Sequence, residues 1–126
     1  MRRSQWLEYK VLEVALKPYG HDQEGYPVNL PEFLVFIRQD LPDVEDDEVV
    51  KTMVLLDSEK VLRLRKCDET LRAFRDYQDG DETFFEGEFR LKPTNLSRRR
   101  VEDLAESFPP PPEPDKRRIG FVAWQS

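Results

Sequence analysis

With 126 residues, 37% of them charged and 38% apolar, the chain has the length of one domain and composition for a heavily solvated surface around one core. Its single cysteine, Cys67, excludes an intramolecular disulfide framework, and no run of about 18 apolar residues is present to span a membrane. The net charge of −6 is unevenly spread: residues 22–59 hold eleven acids against two bases, which repels phosphate unless basic strips elsewhere face it together.

The chain starts Met1-Arg2-Arg3, and no apolar run like that of a signal peptide follows, so the cytoplasm is the expected compartment. Ser4 to Lys17 reads as a first helix, with Leu7, Val11, Val14 and Ala15 on one face, Leu12 and Leu16 widening it, Ser4 as its cap and Pro18 as its stop. Tyr19 to Val28, which holds Gly20, Gly25 and Pro27, reads as a loop. A second helix opens on Asn29, with Pro31 in the first turn and Glu32 placed to complete a capping box. Leu30, Phe33, Leu34, Ile37 and Leu41 form its stripe, and Pro42 ends it.

A third helix is expected from an Asp43 cap to about Asp57, its first turn made of Glu45, Asp46, Asp47 and Glu48, acids favourable at the positive end of a helix dipole, and its buried face of Val49, Val50, Met53, Val54 and Leu56. Lys60 to Lys66 alternates Leu62 and Leu64 with charges and reads as a strand. Residues 68–78 fit a short helix or a strand equally. Asp79-Gly80 signals a turn, and Glu82 to Leu91 alternates as a half-buried strand. Leu96 to Phe108 gives a last helix capped by Asn95 or Ser97, with Val101, Leu104, Ala105 and Phe108 on one face, and Phe33, Ile37, Val50, Met53 and Leu104 are the side chains expected in the core. The prolines 109–112 and 114 form an extended spacer, and Ile119 to Trp124 an apolar tail strand.

This order resembles a winged-helix domain: three helices, a strand, a turn, a strand and a helix. The stretch Phe89-Arg90-Leu91-Lys92-Pro93-Thr94 resembles the end of a wing running into a C-terminal helix. The expected class is therefore α+β: a winged-helix-like three-helix core with a small antiparallel sheet, a C-terminal helix and a Pro-linked terminal strand. The expected divisions are a domain over 1–108, a Pro-rich charged spacer over 109–118 and the tail over 119–126. The resemblance implies that the third helix holds the recognition-helix position. Its acidic first turn opposes phosphate there, so ordinary major-groove reading is not expected.

Chemistry-bearing constellations are sparse. His21-Asp22 lacks a nucleophile signature around it, and Cys67 stands beside Asp68 and Glu69, an anionic setting unlike that of a reactive cysteine. One Cys and one His do not make a zinc site, the acids after Asp43 miss the calcium-loop pattern, and Asp76, Asp79, Asp81 and Glu82 read as a solvated turn. The five glycines form no nucleotide fingerprint. The expectation is a non-catalytic chain with no metal and no cofactor.

The remaining polar signals divide in two. Glu45, Asp46, Asp47 and Glu48, with Phe121 and Trp124 of the tail, are the expected contacts for a protein partner or a second copy of the chain. Lys60, Arg63, Arg65 and Lys66, with Arg98, Arg99 and Arg100, are the expected phosphate contacts if nucleic acid is bound at all. Three arginines opening a helix oppose its dipole, so helix stability does not explain them. A protein-interaction or regulatory adaptor module is the first reading. A nucleic-acid-binding regulator that reaches phosphates through the wing and the last helix is the second. Whether the basic strips converge on one face or pair with acids decides between them.

Overall fold

The computed structural model describes residues 3–17, 24–81 and 83–107. They form a mixed α+β domain of four helices and a four-stranded antiparallel sheet. The loop with His21, residue Glu82, the spacer, and the tail with Phe121 and Trp124 lie outside the described residues.

Helix α1 spans Arg3–Ala15 and buries Leu7, Val11, Leu12, Val14 and Ala15, the face that the apolar spacing predicts. Strand β1, Tyr26–Asn29, falls where the sequence reads as a loop. Four residues containing a proline carry little strand signal, and pairing with a distant segment makes the strand. Gly25 leads into it with φ +106°, and a Cβ there would stand 2.6 Å from the Leu91 carbonyl oxygen. Only glycine fits so close an approach.

Helix α2, Leu30–Arg38, starts as expected: the Asn29 side chain accepts from the Glu32 N–H at 3.0 Å. Helix α3 spans Asp46–Ser58, so its cap is Glu45 and not Asp43. The carboxylate of Glu48 reaches back to the Glu45 N–H at 3.1 Å, which leaves Asp43 free to meet Arg3 instead.

Strand β2, Leu62–Asp68, is followed by β3, Ala73–Asp76, which resolves the ambiguous segment as a strand. The tight hairpin connection lies at residues 69–72, where Arg72 has φ 52°, while Asp79-Gly80 forms the turn that the sequence signals, within the longer connection to the next strand. Strand β4 is Glu88–Pro93, six residues later than the alternation from Glu82 suggests. Phe84 and Phe85 mimic that alternation from within turns. Phe84 is wholly buried and meets Tyr77, Phe85 and Phe89 at ring-centroid distances of 5.1–5.7 Å. Helix α4, Ser97–Ser107, takes its start from Thr94, whose hydroxyl accepts from the Leu96 N–H, rather than from Asn95 or Ser97.

The sheet runs β1-β4-β2-β3. Leu64 faces Leu91 across β2 and β4, and this apolar face packs under α1 and α3 together with Leu62 and Phe89. Of five side chains singled out for the core, Phe33, Ile37, Met53 and Leu104 are buried, whereas Val50 is only half-buried. The buried Ser97 hydroxyl donates to the Val61 carbonyl at 2.5 Å and accepts from the Thr94 N–H at 2.8 Å, fixing α4 against the start of β2. No helix among the described residues is long and apolar enough to cross a membrane.

Candidate functional site

The second face of the sheet is polar by register. Arg63 stands opposite Lys92, and Arg65 opposite Arg90, which sets like charges side by side across the strands. Such pairs destabilise a sheet unless acids offset them. Asp76 supplies the offset from β3, 3.0 Å from Arg63 and 2.8 Å from Arg65, and Glu24 meets Arg65 at 2.6 Å. Burial pushes the Asp76 carboxyl up, but the hydrogen bonds from Arg65 and Arg63 outweigh it and hold the group below the usual carboxylate range.

The other basic residues divide in the same way. Lys66 turns its ammonium onto the carbonyls of Thr83, Phe84 and Glu86, where it acts as an internal cation for the turn beneath the aromatic cluster. Arg100 spans Glu8 of α1 at 2.8 Å and Glu59 after α3 at 3.0 Å, so it locks three elements together. Lys60, Arg98 and Arg99 make no ion pair among the described residues, and all three are exposed. The seven cations named from sequence do not converge: four are occupied inside the domain. Of the acids around the turn, Asp76 pairs with Arg63 and Arg65 and Asp81 with Arg75, and no cluster that could hold a metal occurs among the described residues.

Helix α3 differs from the sheet. Its buried residues are Val49, Thr52, Met53 and Leu56. Helical spacing then places Asp47, Lys51, Val54 and Ser58 on the opposite row, with Val50 and Leu55 on its flanks. Leu55 is 48% exposed, and half-buried Val50 and Val54 are not among the side chains packed on the core. The sequence missed this row because it assigns Val50 and Val54 to the buried side.

The four acids at the start of α3 are not equivalent. Arg3 binds Glu48 in a two-pronged contact, at 2.8 Å and 3.0 Å, and also reaches Asp43 at 3.1 Å. The Arg3 hydrogen bond, followed by the Glu45 backbone N–H, holds the Glu48 carboxyl below its ordinary value. Asp47 pairs with Lys51 one turn on, at 3.1 Å. Glu45 and Asp46 make no ion pair among the described residues and are exposed. At the far end of α3, Asp57 accepts from the Leu64 N–H at 2.9 Å, and burial pushes its carboxyl up against that bond.

Two clefts border the sheet. One, of about 240 Å³, is lined by Cys67, Phe74, Phe89 and Arg90, and the other, of about 230 Å³, by Val14, Tyr26, Phe33 and Phe36. The first is lined by exposed Cys67 beside Glu69 and Glu86, and the second by Lys17, Tyr26 and Glu32, and among the described lining residues neither sets a Ser or Cys beside an imidazole. The chain was compared with family models, curated proteins and solved structures, and none of the three comparisons gives a match.

Proposed function

We propose that this chain is a non-catalytic protein-interaction module of winged-helix-like design, which meets its partner through the outer row of α3. The chain order α1, β1, α2, α3, β2, β3, β4, α4, with β4 lying between β1 and β2 and β3 added at the edge beside β2, supports the winged-helix reading. In that design α3 takes the position from which a DNA reader enters the major groove.

The observation that carries the proposal is the character of that row. It presents Asp47 at its start and Val54 along its length, with half-exposed Leu55 on its flank, and its one cation, Lys51, is held by Asp47. Phosphate is repelled by such a surface, whereas a half-exposed apolar row beside carboxylates suits an amphipathic, basic protein segment. The test is to replace Val54 and Leu55 with Asp and follow co-purification with the partner from the native host. Loss of the partner with an unchanged melting temperature is expected. Retention of the partner at full occupancy would contradict the proposal.

A second reading rests on Lys60, Arg98 and Arg99. Thr94 ties the Lys60 carbonyl, at 2.8 Å, to the segment that opens α4, so three uncommitted cations belong to one neighbourhood. On this reading the chain is a nucleic-acid-binding regulator that touches phosphates, with binding that is weak and steeply salt-dependent because few charges are available. Partner loss and duplex binding thus report on separate surfaces.

A further inference from the structure

The sheet has two edges, and they are finished differently. The edge strand β1 contains Pro27, which has no N–H to offer a further strand. The other edge strand, β3, contains no proline, and no strand among the described residues pairs with its outer side. The Tyr77 N–H donates to the Leu64 carbonyl at 2.9 Å, so Tyr77 and, by alternation, Arg75 turn their backbone groups inward to β2. The N–H and C=O groups of Phe74 and Asp76 then point outward. Ala73 and Asp76 are exposed, and Leu71, two residues before the strand, is 69% exposed. An open edge of this kind is a template for another strand.

Charges can close such an edge, but those of β3 are engaged within the domain. Arg75 meets Asp68 and Asp81, and Asp76 meets Arg63 and Arg65. The edge also matches itself. Antiparallel pairing about a two-fold axis at Phe74 sets Phe74 opposite Phe74 of a second copy, through the backbone groups that point outward. The same register sets Arg72 opposite Asp76, Ala73 opposite Arg75, and Leu71 level with Tyr77, and each of these pairs occurs twice. The Asp76 side chain keeps 50% of its surface exposed after meeting its own two arginines, which leaves room for a third. Moving the axis to Arg75 would set two guanidinium groups opposite each other, which destabilises a sheet. Charge complementarity thus selects both the occupant and the register.

We propose that β3 pairs with β3 of a second copy, antiparallel about Phe74, and joins two four-stranded sheets into one of eight strands. So short an edge buries less than a standard interface, and the association is accordingly weak and concentration-dependent. It uses no residue of α3, so it stands or falls apart from the reading of α3 as the face for a different partner.

Sedimentation velocity of the full-length chain tests the pairing. The sedimentation coefficient is expected to rise with concentration from that of a monomer to that of a dimer. Arg72→Asp weakens the dimer by roughly tenfold, because it sets like charges opposite each other twice. Aspartate also tolerates the positive φ of residue 72. Leu71→Asp weakens the dimer as well, and both variants keep the melting temperature of the monomer. A chain carrying Arg72→Asp and a chain carrying Asp76→Arg fail to self-associate but pair with each other, since the mixture restores both ion pairs. A second measurement does not require the Asp76→Arg chain to fold. With Cys67→Ser removing the native thiol, Phe74→Cys sets two thiols across the axis with Cα atoms about 5.5 Å apart, within disulfide reach. Mild oxidation is expected to give a covalent dimer from that chain and none from Cys67→Ser with Asp47→Cys on α3. A monomer at every concentration overturns the proposal. So does a dimer that ignores Arg72→Asp and Leu71→Asp, or one linked through Asp47→Cys instead, which would place the second copy on α3.

Discussion

The polar face of the sheet and the outer row of α3 are both charged, yet they use charge in opposite ways. On the sheet, cations crowd by register, and Glu24 and Asp76 are spent within the domain to make that register tolerable. On α3, Arg3 neutralises Glu48, but Glu45 and Asp46 remain exposed with no base among the described residues to hold them. Charge satisfied internally stabilises a fold, and charge left over is available for something else. The comparison teaches that a basic strip in the sequence is poor evidence of phosphate binding until its acids have been located.

The comparison can be broken at several levels. The largest effect is expected where both regions depend on one core: Phe33→Ala or Ile37→Ala should cost roughly 2–5 kcal/mol in denaturant unfolding, since both side chains are buried. Ser97→Ala comes next, at about 1–3 kcal/mol, because it strands the buried Val61 carbonyl and the Thr94 N–H. Asp76→Ala should cost about 1 kcal/mol by removing the counter-charge of Arg63 and Arg65, both pairs being partly exposed. Leu55→Asp should change stability by less than about 0.5 kcal/mol, since it touches a solvent-facing position. A loss at Leu55 as large as that at Phe33 would show that the α3 row is structural and dissolve the contrast.

Acid titration sharpens the same comparison. Asp76 and Glu48 have folded values below their ordinary 3.8 and 4.5, so each contributes stability that is present above the unfolded value and is lost as pH falls through the folded one. Asp57 has the opposite sign: its raised value means that the charged form costs stability at neutral pH, a cost that protonation removes. Asp76→Asn should therefore flatten the acid limb of a stability curve, whereas Asp57→Asn, which keeps an oxygen for the Leu64 N–H, should melt no lower than wild type at pH 7.

Much of the helical framework was legible in sequence because its signals are local. Asn29, Pro31 and Glu32 sit within one turn of each other, and the α1 face repeats at helical spacing. The sheet was harder, because its defining partners lie far apart in the chain. Tyr26–Asn29 becomes a strand only through β4, about sixty residues away, and Gly25 looks like an ordinary turn residue until Leu91 is placed against it. Phe84 and Phe85 misled by alternating like a strand while folding into an aromatic turn held by Lys66. In the candidate site, sequence found the acidic start of α3 but placed Val50 and Val54 inside. It also grouped seven cations, of which Arg63, Arg65 and Arg100 find counter-charges, Glu8, Glu24, Glu59 and Asp76, that are visible only in three dimensions.

The central claim is that the outer row of α3, and not the basic residues at α4, is where this chain is met by its partner. A photo-crosslinking amino acid introduced singly at Val54, Arg72 and Arg98 in the native host tests it most directly. All three positions are described, and none belongs to the buried core. The account predicts from Val54 a discrete adduct to another protein, reduced by Glu45→Lys with Asp46→Lys, and none of comparable yield from Arg72 or Arg98. Nucleic-acid adducts at Arg98 with no protein adduct at Val54 would contradict it.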